Sequence, residues 1–277
     1  MIVAVGCIAL SDACAKALSE RYGVAEIVFV RALVGGALLG AAAAFGGLRR
    51  RREGRARLGD WRLQALRGAL ATAAIGLFVW GLSAAPFANA VAVSATAPLF
   101  MALLGRGALG EPIRPAFWPA LVLGAGGVLL ISPPTGPVDA ALPYVAILAS
   151  SLCYACVSVV TRFMAETSSA VSTSAATYGV TVVASGAWLL ATGPVVAPAP
   201  ADLPAIAALG AAGAAGMFAY ARAYAYAGVA NLAPWDNMVF PWALLFGLIA
   251  FADVPDGPAL LGGGLIMASG LLVSAFR

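Results

Sequence analysis

The chain has 277 residues, of which 62% are hydrophobic and 10% are charged, and its formal net charge is +4 at pH 7. Soluble domains carry roughly 25% charged residues, so this composition excludes a water-soluble globular protein. One bilayer span takes about 20 apolar residues, so ten spans would use roughly 200 and leave enough chain for short connections. Long blocks of Ala, Leu, Gly and Val, instead of the alternation typical of membrane barrels, predict an all-α integral membrane protein.

Apolar blocks between charges and Gly or Pro breaks predict ten transmembrane helices, five in each half of the chain. The predicted spans of the first half are 3–18, 25–45, 66–84, 88–104 and 115–131. Those of the second half are 143–161, 172–191, 203–226, 232–251 and 258–276. The first segment lacks a basic start and a clear cleavage site, so we interpret it as a span and not as a signal peptide.

Basic residues are concentrated after the second span. Eight arginines stand there: Arg49, Arg50, Arg51, Arg52, Arg55, Arg57, Arg62 and Arg67. Because Lys and Arg are enriched in cytoplasmic loops, this connection and both termini are predicted to lie on the cytoplasmic side of a bacterial inner membrane. An arginine block can also bind nucleic acid or anionic lipid. In a short loop beside a span, the role of topology determinant is favoured, and we expect no nucleic-acid partner.

The sequence contains an internal repeat. At an offset of 143 residues, Pro98 aligns with Pro241, Pro112 with Pro255, Pro115 with Pro258 and Gly127 with Gly270. At an offset of 146, Lys16 and Glu20 align with Arg162 and Glu166. The two copies are predicted to cover 1–137 and 138–277, and an odd number of spans in each gives them opposite orientations. Such inverted repeats are typical of secondary transporters, with a binding site between the copies near the midplane.

Residues of the fourth and fifth spans resemble a known family. The run ATAPLFMALL from Ala95 to Leu104, followed by LGEP from Leu109 to Pro112, is similar to the EamA-type repeat of the drug/metabolite transporter superfamily. The second copy departs from this pattern, with Val254 at the position of the expected glutamate. The resemblance implies a transporter that exports small metabolites, and likeness to the bacterial amino-acid exporters implies amino acids, including aromatic or other neutral ones, as substrates.

Polar and aromatic residues inside the spans are the candidates for a substrate site. A charge in hydrocarbon costs about 2.5–3.5 kcal/mol and usually faces a cavity or a partner. Asp12 and Lys16 are four residues apart on one helical face, so they either neutralise each other or present paired charges to a zwitterionic ligand. Aromatic rings suit stacking in a central cavity, although those near span ends serve equally well as interfacial anchors. The predicted substrate-binding residues are Ser11, Asp12, Lys16, Trp80, Tyr154, Ser158, Tyr178 and Tyr224.

Two prolines are predicted to act as hinges. Pro98 and Pro241 fall about midway through the fourth and ninth predicted spans. Proline removes a backbone hydrogen bond and kinks a helix, and the freed carbonyl then needs another partner. A kinked span can move at one end while the other end stays packed.

The composition favours a carrier over an enzyme or a channel. The chain has no His, and Lys16 is its only lysine, so it lacks a phosphate-binding Gly-Lys-Ser/Thr loop. Its four cysteines lie in apolar segments and are interpreted as small hydrophobic residues. We therefore expect no catalytic residue, cofactor or metal, and a monomer in the lipid bilayer that moves metabolites by alternating access. A channel and a membrane-embedded enzyme remain the alternatives.

Overall fold

The computed structural model describes residues 2–44, 60–109, 115, 117–131, 138–164, 170–192, 195–226 and 239–275. This part of the chain contains eleven α-helices, one 3₁₀ turn at Pro200–Asp202 and no β-strand. The helices of the first half are α1 Ile2–Leu18, α2 Val24–Ala44, α3 Trp61–Ala84, α4 Phe87–Ser94, α5 Ala97–Leu109 and α6 Phe117–Ile131. Those of the second half are α7 Val138–Met164, α8 Ala170–Thr192, α9 Leu203–Tyr226, α10 Val239–Phe251 and α11 Gly257–Ala275. The predicted all-helical fold class is confirmed.

Five stretches have the length and composition to cross a bilayer. They are Val24–Ala41, Trp61–Ala84, Phe87–Ala108, Ala141–Thr161 and Thr173–Thr192. Shorter apolar helices at Trp118–Ile131 and Val239–Phe251 lie within two further predicted spans, and a third at Gly257–Leu272 begins one residue before the tenth. Helices α1 and α9 coincide with the first and eighth predicted spans. The chain is thus a multi-pass helical membrane protein.

The third span begins earlier than predicted. Asp60 caps α3 by accepting a hydrogen bond from the Arg62 backbone N–H at 2.9 Å. A capping carboxylate satisfies amides that the first helical turn leaves unpaired, so the helix can start at Trp61. Arg62 and Arg67 therefore belong to α3, and the prediction that they lie in the connecting loop is wrong.

The fourth predicted span consists of two helices. Helix α4 ends at Ser94 and α5 begins at Ala97, with Ala95 and Thr96 in a turn between them. Pro98 is therefore in the first turn of α5.

The helices of the two halves pack against each other. The most extensive contacts are those of α3 with α7, α6 with α11, α1 with α9, and α2 with α8. Small residues permit these close approaches, which is how helices associate in lipid. A methyl group on Gly81 of α3 would lie 2.7 Å from the Pro143 carbonyl oxygen of α7. A methyl group on Gly216 of α9 would lie 3.1 Å from the Ala4 carbonyl oxygen of α1.

Candidate functional site

The charge in the middle of α1 is neutralised by α2. The Asp12 carboxylate accepts a hydrogen bond from Arg31 Nη1 at 2.9 Å, and both side chains are largely buried. Beside it, the fully buried Ser11 hydroxyl donates to the Leu209 carbonyl of α9 at 2.7 Å. Asp12 is thus paired with Arg31 and not with Lys16, and Ser11 joins two helices.

Lys16 holds the end of α3. Its ammonium donates to the carbonyl oxygens of Leu82 and Ala85, and it lies 5.6 Å from the centre of the Phe251 ring. A lysine at the C-terminal carbonyls of a helix is favourable because those groups lack helical donors. Next to it, Asp253 accepts a hydrogen bond from the Phe87 backbone N–H at 3.0 Å, at the start of α4. These contacts join α1, α3, α4 and the end of α10 on one side of the bundle.

A second arginine lies at the opposite end of α3. Arg67 Nε donates to the Thr161 hydroxyl of α7 at 2.7 Å, and Nη1 donates to the Thr177 hydroxyl of α8. Nη1 also lies 3.4 Å from the Thr173 carbonyl oxygen. Both threonine hydroxyls donate to their own helices, Thr161 to Val157 O at 2.6 Å and Thr177 to Thr173 O at 2.8 Å. They therefore act as neutral acceptors for Arg67.

Tyr154 lies seven residues before Thr161, the partner of Arg67, on a mostly buried face of α7. Its side chain is 46% exposed, whereas Ser150, Ser151 and Val157, one turn before and after it, are all buried. Residues three and four apart share a helix face, so Tyr154 lies on the side of α7 that carries these buried residues and not on the side of the exposed Leu152 and Phe163. One turn further on, the half-buried Ser158 donates to the Tyr154 carbonyl at 3.2 Å.

Two other predicted aromatic residues lie elsewhere. Trp80 is 40% exposed and shares a stripe with the exposed Leu66 and Ala73, seven residues apart, on the side of α3 away from its buried residues. This position is typical of a membrane-interface anchor. The Tyr178 ring packs on α2, where a methyl group added to Gly35 would lie 2.9 Å from it. Neither ring lies on the α7 face that carries Tyr154.

The remaining predicted residues are described only in part. Tyr224 lies on α9, but its side chain is outside the described residues, as are those of Arg162 and Pro98. Pro241 is exposed and stands at the third position of α10, and residues 227–238 before that helix are outside the described part.

The connection between α8 and α9 is fastened to the turn between α1 and α2. Asp202 accepts hydrogen bonds from the Tyr22 hydroxyl at 2.8 Å and from Arg21 at 2.9 Å, and Glu26 accepts one from the Val196 N–H at 2.6 Å. We call these five residues the α8–α9 clip. The hydrogen bond from Tyr22, and then that from Arg21, hold the pKa of Asp202 below its usual range.

A mostly apolar cavity of about 200 Å³ lies beneath the clip. Its apolar lining comes from Leu18, Ile27, Phe29, Val30, Leu189, Val195, Pro198, Ile206 and Leu209, together with the clip residues Tyr22, Glu26 and Val196. Its described lining includes none of the residues predicted to bind substrate.

Two arginines in this arrangement were missing from the predicted site. Arg31 lies inside the second predicted span, and a buried charge there requires a partner, so the signal was present. Arg67 was counted with the loop arginines although it lies inside the third predicted span, 66–84. The partners of both arginines lie on other helices, so spacing along the arginine's own helix does not identify them.

Known proteins resemble this chain in sequence and in fold. Residues 1–132 match the EamA-like transporter family. A protein of Brucella anthropi named riboflavin transporter is 29% identical over 213 residues, covering 76% of this chain and 75% of that protein. A protein of Rhizobium johnstonii with the same name is 29% identical over 203 residues, covering 73% and 67%. A crystal structure with 20% sequence identity superposes with a TM-score of 0.69 over 99% of this chain and 96% of its own, so the two share a fold.

Proposed function

We propose that this chain, which carries an EamA-like transporter domain over residues 1–132, moves a planar heteroaromatic metabolite of the flavin class across the membrane by alternating access. The match of residues 1–132 to the EamA-like transporter family supports transport of a small metabolite. The observation that supports the flavin class is the name of the two relatives, riboflavin transporter, which align over about three quarters of the chain.

The charges of α1 favour a neutral substrate over an amino acid. A free cation and a free anion would bind the two termini of a zwitterion most directly. Asp12 and Arg31 neutralise each other at 2.9 Å, and the Lys16 ammonium is held by helix carbonyls. The α1–α2 cluster thus offers no separated charge pair, and the expected amino-acid substrate has no support from the relatives.

The helix packing supports two inverted halves, which we place at 1–137 and 138–277. The contact of α3 with α7 corresponds to that of α9 with α1, and the contact of α3 with α8 corresponds to that of α9 with α2. Each contact between the halves therefore has a counterpart in which the roles of the first and second half are swapped. Two such arrangements can interconvert around a central site, which is the basis of alternating access.

Transport of riboflavin by purified protein in liposomes tests this function. We expect saturable uptake and exchange of labelled for unlabelled riboflavin across the membrane. A panel of neutral and aromatic amino acids, run in parallel, should neither be exchanged nor compete. Exchange of amino acids without exchange of riboflavin would overturn the flavin assignment, and unsaturable flux would indicate a channel.

We further propose an inner-membrane location with both termini in the cytoplasm, because of the arginine block at 49–57. In a variant without native cysteines, Arg52→Cys should resist an impermeant thiol reagent in intact cells. Ala197→Cys, at an exposed position in the connection between α8 and α9, should react. The reverse labelling pattern would contradict this orientation.

A further inference from the structure

The short turn between α3 and α4 leaves backbone groups without helical partners. Helix α3 ends at Ala84 and α4 begins at Phe87, so the last carbonyls of one helix and the first amides of the next lie close together. Such terminal groups have no partners within their own helices. Pro86, the N-cap of α4, makes no side-chain capping hydrogen bond. The turn therefore depends on partners from other elements.

A cation and an anion supply those partners. The Lys16 ammonium of α1 donates to the Leu82 carbonyl at 3.4 Å and to the Ala85 carbonyl. The Asp253 carboxylate, 166 residues beyond Phe87 in the chain, accepts a hydrogen bond from the Phe87 N–H at 3.0 Å. A cation at the end of one helix and an anion at the start of the next are both favoured by the helix dipoles. The two charges thus stabilise the turn from opposite sides.

Part of this contact joins the two halves of the chain. Asp253 follows α10 of the second half, whereas Phe87 begins α4 of the first. Phe251, the last residue of α10, has its ring centre 5.7 Å from that of Phe87 and 5.6 Å from the Lys16 ammonium. Helices α1 and α4 also pack against α10. We call Lys16, Phe87, Phe251 and Asp253 the α10 latch, because they attach the end of α10 to α1 and to the α3–α4 turn.

The backbone between Phe251 and Asp253 has an unfavourable conformation. Ala252 has a φ of 52°, in the left-handed region that glycine adopts more readily than alanine. The Asp253 N–H donates to the Gly247 carbonyl at 3.0 Å, which closes the turn over the end of α10. Such a conformation persists where surrounding contacts hold it, and the bond from Phe87 to Asp253 is one of them.

The α10 latch lies where its hydrogen bonds can be exchanged for bonds to water. Ala84, Pro86 and Ala252 beside it are exposed at the end of the bundle. Replacing a hydrogen bond within the protein by one to water has a small net cost. The crossing of α6 and α11 differs, because a methyl group on Gly127 would lie only 2.5 Å from the Gly262 carbonyl oxygen. That close apolar contact leaves no room for water, whereas the α10 latch can open.

We propose that the α10 latch closes one end of the transport path, and that it opens in each cycle as the end of α10 separates from α1 and the α3–α4 turn. This inference rests on the alternating access proposed above and not on the identity of the substrate. In the open state, water replaces the latch as the partner of the two charges and of the helix ends. The latch contacts therefore set the ratio of open to closed protein.

Distances between spin labels test the proposal without any substrate. In a variant without native cysteines, labels at Ala84→Cys and Val254→Cys lie at exposed positions on the two sides of the latch. Pulsed electron paramagnetic resonance in detergent should show a major short distance and a minor longer one. Lys16→Met and Asp253→Ala should each raise the ratio of long to short by about 10-fold, because each removes charge-assisted hydrogen bonds. Asp253→Asn keeps an oxygen acceptor for Phe87 and should fall between Asp253→Ala and the unaltered latch.

Asp256→Ala is the matched control from the same connection. The Asp256 carboxylate accepts a hydrogen bond from the Ala259 N–H at 2.8 Å, so it caps α11 within the second half. Its loss should leave the ratio of distances unchanged. An equal rise in this variant would indicate general loosening of the connection and would overturn the latch. Unchanged ratios in Lys16→Met and Asp253→Ala, or a single short distance in every variant, would also overturn it.

A disulfide supplies a second test that keeps all four latch residues. A methyl group on Gly247 would lie 3.9 Å from the Ala88 nitrogen, so Ala88→Cys and Gly247→Cys are close enough to be cross-linked. Oxidation of the double variant should block riboflavin exchange in liposomes, and a reductant should restore it, while each single variant stays active. Retained exchange after complete cross-linking would contradict opening at this end.

The two measurements separate this inference from the proposed function. If the spin-label distances shift as expected but the unaltered protein does not exchange riboflavin, the flavin assignment fails and the latch stands. If riboflavin is exchanged but the distances and the cross-linked protein behave as in the unaltered protein, the latch fails and the flavin assignment stands.

Discussion

Arg31 and Asp12 lie 2.9 Å apart and join α2 to α1 inside the bundle. Both side chains are mostly withdrawn from solvent, with exposed fractions of 18% and 10%. A buried pair of this kind contributes little net stability, but the loss of one partner leaves the other as an uncompensated charge. The pair therefore fixes the register of two helices that also contact α9.

We expect Asp12→Asn and Arg31→Gln each to lower the free energy of unfolding by about 3–5 kcal/mol. The double variant should be more stable than the sum of the two losses predicts, because it contains neither isolated charge. Denaturation in detergent, analysed as a double-mutant cycle, measures the coupling. Additive losses would show that the two charges do not interact in the folded protein.

The contact between α6 and α11 gives a second prediction. A methyl group on Gly127 would lie 2.5 Å from the Gly262 carbonyl oxygen, and one on Gly262 would lie 2.6 Å from the Gly127 carbonyl oxygen. Neither backbone can give way without separating the helices, so Gly127→Ala and Gly262→Ala should each cost about 1–3 kcal/mol. Gly126 and Gly264 have nothing within 4 Å of an added methyl group and are matched controls on the same two helices.

At these control positions, alanine removes the conformational freedom of glycine and should be neutral or stabilise by up to about 1 kcal/mol. Thermal unfolding of the four single variants in detergent makes the comparison. Equal stability of Gly127→Ala and Gly126→Ala would argue against the close crossing.

The α8–α9 clip gives a prediction about pH. Asp202 has a pKa below its usual value of 3.8 because it accepts a hydrogen bond from Tyr22 and pairs with Arg21. Docking of the connection is therefore fully stabilised above about pH 4 and is lost as the pH falls through the lowered pKa. Tyr22→Phe removes the largest cause of the shift, so release should occur at a higher pH.

Hydrogen exchange of the connection at residues 195–202, followed between pH 6 and 3 and corrected for intrinsic rates, measures this release. In Tyr22→Phe, Glu26 still accepts the hydrogen bond from the Val196 N–H. We therefore expect the midpoint of release to shift to higher pH, while the connection stays docked near neutral pH. The same midpoint in both proteins would show that Tyr22 does not lower the pKa of Asp202.

The helices could be predicted because long apolar runs separated by breaks have few alternatives to a bilayer span. Their exact ends could not, since the start of α3 depends on a single capping carboxylate, Asp60. That error of five residues placed Arg62 in a loop, and grouping Arg67 with the loop arginines removed a half-buried cation from the candidate site.

The site itself depends on contacts between helices distant in sequence. Spacing along α1 suggested that Asp12 faces Lys16, whereas Arg31, nineteen residues away, reaches Asp12 instead. Likewise, a tryptophan inside a span suits either a cavity or a lipid interface, and only packing shows that Trp80 is on the exposed stripe of α3. Charge and composition indicate that a charged residue inside a span has a partner, but they do not identify which residue that partner is.

The break between α4 and α5 gives the last prediction. Pro98 has no N–H, so the Ser94 carbonyl four residues earlier lacks its helical donor. The Ser151 hydroxyl of α7 lies 3.3 Å from that carbonyl oxygen and also lies 3.0 Å from the Ile147 carbonyl oxygen, so one hydrogen is shared between two acceptors. The break is thus held only weakly from α7.

Pro98→Ala supplies the missing N–H and allows α4 and α5 to form one straight helix. We expect transport at saturating substrate to fall several-fold while the dissociation constant changes by less than about threefold, because the substitution alters exchange between states and not contacts with substrate. Pro241→Ala makes the same test in the second half. Pro204→Ala, at an exposed position in the first turn of α9, removes a proline without restoring a broken helix and should leave transport unchanged. Counterflow rates and equilibrium binding, measured on variants of equal thermal stability, separate an effect on motion from an effect on affinity. A normal counterflow rate in well-folded Pro98→Ala would contradict the hinge role of Pro98.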